Sequence, residues 1–323
     1  MIFDGHGDIW TDVTNKRIKN KERDIFRKYH LEKFQKGGVN GGIFVIWLDP
    51  PYDADPVKRS KEIVESIQCE LQDASDILNP VKKFSDLAAG TAAGKINAVT
   101  GMEGLSQIGE DIDLINYFYD EVGVRHAMLT WNEENALASG WPGDPRRGLT
   151  EAGEKAVKRI QELGMVMDVS HINDKGFWDI MNLAQGPHSN ARSVCPAMRN
   201  LSDDMLKEIA RTGGLTGINS LREFIDENRE KQTVERLADH VEYIAELIGI
   251  EHIGLGFDFD DYLEEEALGS FSSNLDSPSG KGISNEAEAG NLLEVLQKRG
   301  YNQEQLDAIA YKNFYRVFQT VWK

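Results

Sequence analysis

The chain has 323 residues, 40% of them hydrophobic and 28% charged, a globular composition able to bury a large core in one big barrel or in two ordinary domains. A formal net charge of −18 argues against a phosphate backbone as partner, because nucleic-acid binding draws on clustered Lys and Arg; a small zwitterion responds only to the local field. Two cysteines, Cys69 and Cys195, are too few for a disulfide framework and fit a reducing cytoplasm.

From the first residues, Met1-Ile2-Phe3 runs straight into Asp4-Gly5-His6 with neither a basic leader nor a long apolar one. No stretch approaches the roughly eighteen apolar residues of a membrane span, so a soluble, cytoplasmic protein with no membrane partner is expected. Short apolar runs then follow at Ile2-Phe3, Ile43-Phe44-Val45-Ile46-Trp47, Asn97-Ala98-Val99-Thr100 and Arg125-His126-Ala127-Met128-Leu129-Thr130. Further runs stand at Met165-Val166-Met167, Leu215-Thr216-Gly217-Ile218 and Ile253-Gly254-Leu255, and all read as strands buried on both faces. Helical stripes separate them: Val64, Ile67, Leu71 and Ala74; Ala156, Ile160 and Leu163; Val234, Leu237, Val241, Ile244 and Ile248. Thr150 and Ser202 stand where N-caps belong, each followed by acids. Strands alternating with helices imply parallel βαβ units, and the absence of a low-complexity linker favours a single (β/α)₈ TIM-like barrel over residues 1–323. The Gly- and Ser-rich stretch Leu268 to Gly282 follows the last strand and would hang over the barrel mouth.

Candidate chemistry falls at successive strand exits, where barrels build their sites. His6 and Asp8 flank Gly7, a spacing that lets an imidazole and a carboxylate converge on one ion. Glu103 ends the run from Val99, and its two oxygens could bridge two cations. His171 leaves the run ending at Val169-Ser170, His188 follows Pro187, and Asp258 closes Ile253 to Phe257 as a candidate general base, with Asp260 as competitor. No nucleophile elbow, phosphate-binding glycine fingerprint or Cys-x-x-Cys pair is present.

The segments D-G-H-G-D (4–8), G-M-E-G (101–104), D-V-S-H (168–171), H-S-N-A-R (188–192), R-N-L-S-D (199–203) and H-I-G-L-G-F-D-F-D (252–260) together resemble the membrane (renal) dipeptidase family of zinc peptidases. The resemblance spans nearly the whole chain and keeps the order of the motifs. It implies a metallo-dipeptidase with two divalent metal ions, zinc by the family's habit, acting on small free dipeptides through a water activated between the ions. Carried over, His6 and Asp8 bind one ion, Glu103 bridges, and His171 and His188 bind the other. Asp258 moves the proton, and Arg199 holds the substrate carboxylate with its planar fork. A homodimer is compatible with this reading.

The chain departs from the family at Trp131, where a histidine is common; either Asn132 beside it or a water substitutes for the lost contact, or the substrate differs. An odd separation from Trp131 places His126 on the opposite face, packed outward. Only Gln185-Gly186-Pro187 separate the helical run 178–184 from His188, too few residues for a turn and a full strand. The remaining histidines, His30, His240 and His252, and the tryptophans Trp10, Trp47, Trp141 and Trp178 read as packing residues. Two rival readings keep the barrel: a metallohydrolase of esters, lactones or cyclic amides, and a barrel that binds a ligand without turnover.

Overall fold

The computed structural model describes residues 1–181, 190–272, 274–275 and 277–322. Eight strands form one sheet: β1 (Ile2–Gly7), β2 (Val39–Trp47), β3 (Leu78–Val81), β4 (Ile96–Glu103), β5 (His126–Met128), β6 (Val166–Asp168), β7 (Thr216–Ile218) and β8 (Ile253–Leu255). The order is β6-β5-β4-β2-β1-β8-β7, every pairing between them is parallel, and β3 adds to β4. The expected α/β barrel architecture is what the chain adopts, with β6 and β7 as the ends of the curled sheet among the described residues.

Curling gives the sheet two unlike faces. Phe44, Ile46, Met102 and Ala127 face outward and share a cluster with Trp10 and Val13 of the helix Ile9–Asn20 and Ile63 and Ile67 of the helix Pro56–Asp73. Phe3, Ile43, Val45, Trp47 and Val99 face inward, as the period-two alternation of a strand requires. The helical stripes bury as their spacing demands: Ala156 and Ile160 in the helix Glu151–Leu163, and Leu237, Val241 and Ile244 in the helix Val234–Ile248. Thr150 and Ser202 do cap, accepting from Gly153 N at 3.0 Å and Met205 N at 3.3 Å.

One strand carries no apolar run. β3 reads Leu-Asn-Pro-Val, and its pairing is paid for by position: it lies against only the lower half of β4 (Ile96 to Val99), and β5 takes over at Gly101. Pro80 is tolerated because β3 has no second neighbour among the described strands.

The C-terminal helix Asn313–Val321 closes the end of the barrel opposite the strand exits. Asn313 donates to Ile250 O and Ile253 O, Arg316 to Gly213 O and Glu251 O, and the Trp322 indole to Arg125 O, all at or before the starts of β8, β7 and β5. Phe314 presses onto the sheet at Gly254, where a Cβ would meet its ring at 2.5 Å. A plugged floor leaves the opposite rim as the place for chemistry.

Candidate metal centre

Glu103 is the last residue of β4, and each of its oxygens faces an imidazole. Oε2 lies 3.3 Å from His6 Nε2, and Oε1 lies 2.9 Å from His171 Nε2. His6 comes from β1, and Asp8 stands at the N-terminus of the helix that follows, so a strand exit and a helix start deliver both to the rim. Donor atoms of His6, Asp8 and Glu103 lie within 4.8 Å of one another, and those of Asp8, Asp258 and Asp260 form a second, overlapping set. Asp258 Oδ1 is 3.5 Å from His6 Nε2, while its Oδ2 accepts from Asn219 Nδ2 at 3.0 Å. His188 lies outside the described residues.

Backbone and neighbouring side chains hold these groups in place. His171 and Asp258 both adopt the left-handed conformation, with φ of 63° and 58°, each just past its strand. Non-glycine residues there are uncommon and cost energy, and such strain concentrates at functional sites. The Asp4 carboxylate accepts from Phe257 N at 2.9 Å and from His6 N at 3.4 Å, tying together the two strands that lead to Asp258 and His6. Asn132 Oδ1 lies 3.1 Å from His171 Nδ1. An amide oxygen only accepts, so Nδ1 donates to it and Nε2 is the ring nitrogen that faces Glu103.

The site is rich in negative charge. Burial, then Glu103, raises Asp8 well above the usual carboxylate range; burial, then Asp258, does the same to Asp260. Burial also opposes ionisation of Glu103, but His6 and His171 together hold it well below its ordinary value. Burial disfavours the His6 imidazolium, yet Glu103 and Asp258 pull its pKa well up. Protons are thus drawn to the place a cation would relieve. Asp8 Oδ1 is buried without a hydrogen-bond partner among the described residues, which fits an ion-facing oxygen, and mixed imidazole and carboxylate donors suit a divalent metal of the zinc type.

Above the cluster opens a cavity of about 290 Å³, lined by Asp8, Glu103, His171, Asp258 and Asp260 and also by Trp131, Asn132 and Arg199. Among the described residues that line it, Arg199 is the only Lys or Arg. Burial lowers the Arg199 pKa against the pull of Asp258, Glu103 and Asp168, and its guanidinium lies 5.5 Å from the Phe224 ring. The side-chain oxygen of Asn132 is engaged by His171, so its immediate partner is a candidate ligand.

His126 is a correction. It points into the barrel, not outward: a Cβ on Gly101 would lie 2.8 Å from its Nδ1, alongside the inward side chains of Ile43 and Val45. Its Nε2 lies 2.8 Å from Asp168 Oδ2. The parity argument broke because β5 ends at Met128, so Trp131 lies past the strand and the alternation no longer applies. His30, His240 and His252 bond to Asp12, Ile225 O and Gly214 O and do not line the cavity. Trp47 and Trp141, read as packing, do line it, as do Leu221, Phe224, Ser270 and Phe271. Trp47 was within reach of the strand-exit rule, since it ends β2 in register with Glu103; the others lie in loops or, for Phe224, in the four-residue helix Arg222–Ile225, too short to carry a periodic signal.

A curled parallel sheet with imidazoles and carboxylates gathered at its strand exits, around a small acidic cavity, defines a barrel-type metallohydrolase. Comparison with known proteins narrows the class. The model of the membrane dipeptidase family (peptidase family M19) matches residues 1–323. A Klebsiella pneumoniae protein from the pqqA 5′ region, of uncharacterised function, is 34% identical over 70% of this chain and 81% of its own. Dipeptidase aclJ of Aspergillus oryzae is 27% identical over 99% of this chain and 78% of its own. A Rhodobacter sphaeroides metallopeptidase, crystallised with a phosphinate mimic of L-Ala-D-Ala, superposes with a TM-score of 0.85 over 99% of both chains at 23% identity, which establishes the shared fold. The chain belongs to the membrane dipeptidase family, whose metallopeptidase character implies a divalent metal ion.

Proposed function

We propose that this metallo-dipeptidase hydrolyses small unblocked dipeptides, with residues 1–323 working as one catalytic domain and two zinc ions as its metal complement. The observation that carries the reading is Glu103, with an imidazole at 3.3 Å from one oxygen and another at 2.9 Å from the other. His6, Asp8 and Glu103 would hold the first ion, and Glu103, His171 and His188 the second. Bound divalent metal supplies water activation and polarisation of the scissile carbonyl. The protein's own groups do the rest. Asp258, steadied by Asn219 at 3.0 Å, accepts a proton from the attacking water and passes it to the leaving amine. Arg199 pairs with the free carboxylate of the substrate, Trp131 bounds the substrate, and Asn132 fixes the His171 ring at 3.1 Å. A small substrate is supported by the cavity of about 290 Å³ and by the dipeptide mimic bound to the Rhodobacter protein. A cytoplasmic location is supported by the unpaired Cys69 and Cys195, and among the described residues no helix is long and apolar enough to cross a membrane.

The test is metal analysis of purified protein together with turnover of a dipeptide panel, with and without chelator. About two ions per chain and chelator-sensitive cleavage, restored by zinc, are expected. Carboxyl-amidated dipeptides should be poor substrates, and equal turnover of free and amidated forms removes the role given to Arg199. If metal-loaded protein cleaves no dipeptide, the reading fails.

A further inference from the structure

Trp47, Trp131 and Phe271 form one wall of the cavity. Ring centroids lie 5.2 Å apart for Trp47 and Trp131, 6.0 Å for Trp47 and Phe271, and 6.5 Å for Trp131 and Phe271. Trp47 is buried, Trp131 and Phe271 are half-buried, and all three line the cavity. The wall borders the candidate ligands directly: Trp47 pairs in register with Glu103, and Trp131 lies 6.2 Å from the His171 ring. It is also fastened in place. Ser272 Oγ and Asn274 Nδ2, just beyond Phe271, donate to Glu223 Oε1 at 3.3 and 2.7 Å, and Arg222 Nε donates to Ser279 O at 2.7 Å. An apolar surface in a concave site gains when an apolar group covers it.

Resting on the dipeptidase reading, we propose that this wall is the subsite for the side chain of the amino-terminal residue, and that it selects dipeptides beginning with a large apolar or aromatic residue. Connectivity fixes the assignment. The scissile carbonyl belongs to the amino-terminal residue and must sit at Glu103 and His171, and that residue's side chain branches one carbon away. The free carboxylate belongs to the other residue and goes to Arg199, whose guanidinium lies 5.5 Å from the Phe224 ring. A filled apolar subsite discriminates between side chains by about ten- to a hundred-fold.

The experiment measures kcat/KM for Phe-Ala, Leu-Ala, Ala-Ala and Gly-Ala, and for Ala-Phe and Ala-Leu, using metal-loaded wild type, Phe271→Ala and Phe271→Leu. Wild type should favour Phe-Ala over Gly-Ala at least ten-fold. Phe271→Ala should shrink that ratio, chiefly through KM, and Phe271→Leu should retain most of it. Equal rates along the X-Ala series, a preference that follows the carboxyl-terminal residue, or a Phe271→Ala loss uniform across substrates overturns the subsite and leaves the dipeptidase intact. The wild-type series decides even if the variants do not fold. No cleavage of any member removes both proposals.

Discussion

Asp258 holds its carboxylate between His6 and Asn219 from a backbone with φ of 58°. Asparagine tolerates that conformation and keeps the shape of the side chain while removing the base. Asp258→Asn should therefore lower kcat by about 10²- to 10⁴-fold with little change in melting temperature. Asp258→Ala should lower kcat similarly and lose about 1 kcal/mol of stability besides, because alanine pays the left-handed penalty in full. Kinetics paired with urea titrations separates the two costs. Asn132 acts one step further out. Its oxygen at 3.1 Å fixes which nitrogen of His171 carries hydrogen, so Asn132→Ala should weaken metal binding or activity by about 10- to 100-fold, whereas Asn132→Asp should recover much of it. A chelator competition titration reads this directly; unchanged metal affinity in Asn132→Ala would leave the hydrogen bond without that role.

Among the helices, Val234–Ile248 contains a titratable group with a defined preference. His240 is buried, its Nε2 facing Ile225 O at 2.9 Å and its Nδ1 accepting from Ala191 N at 3.3 Å. One nitrogen donates and the other accepts, so the neutral ring satisfies both neighbours, and a second proton would meet an N–H. Burial drives its pKa down to about 4. A folded pKa below the unfolded one means the folded state binds fewer protons. The associated stability is complete above the unfolded imidazole pKa of about 6.5 and is lost as pH falls toward 4, a change of about 3 kcal/mol. Unfolding free energy measured between pH 7.5 and 4.5 should drop more steeply for wild type than for His240→Gln. Parallel slopes would show that His240 takes no part in the acid limb. The same helix illustrates what spacing reveals: its apolar stripe buries at Val234, Leu237, Val241 and Ile244, with Ile248 half-buried at the end, while the inward direction of His126 was lost because the length of a strand is not in the pattern of its residues.

Across the molecule, the candidate ligands come from β1, the end of β4 and the exit of β6, so bound metal would tie together segments far apart in sequence. Metal binding to the folded state alone should raise stability by about 2.7 kcal/mol at a hundred-fold excess over Kd. Chelation should therefore lower the melting temperature and zinc should restore it; a melting temperature indifferent to both would mean that the ligands do not meet on a cation. The sequence by itself determined the parallel α/β barrel class, most of its strands, the two capped helices and the candidate groups at the strand exits, because burial on both faces and helical period are local patterns. It did not disclose β3, whose Leu-Asn-Pro-Val has no apolar run and is held by its place against half of β4. Nor did it disclose the aromatic wall, assembled from a strand end and two loops. Those were decided by tertiary structure, since which loop residues meet over a cavity depends on how the whole sheet curls, and no stretch of neighbours in the chain encodes that.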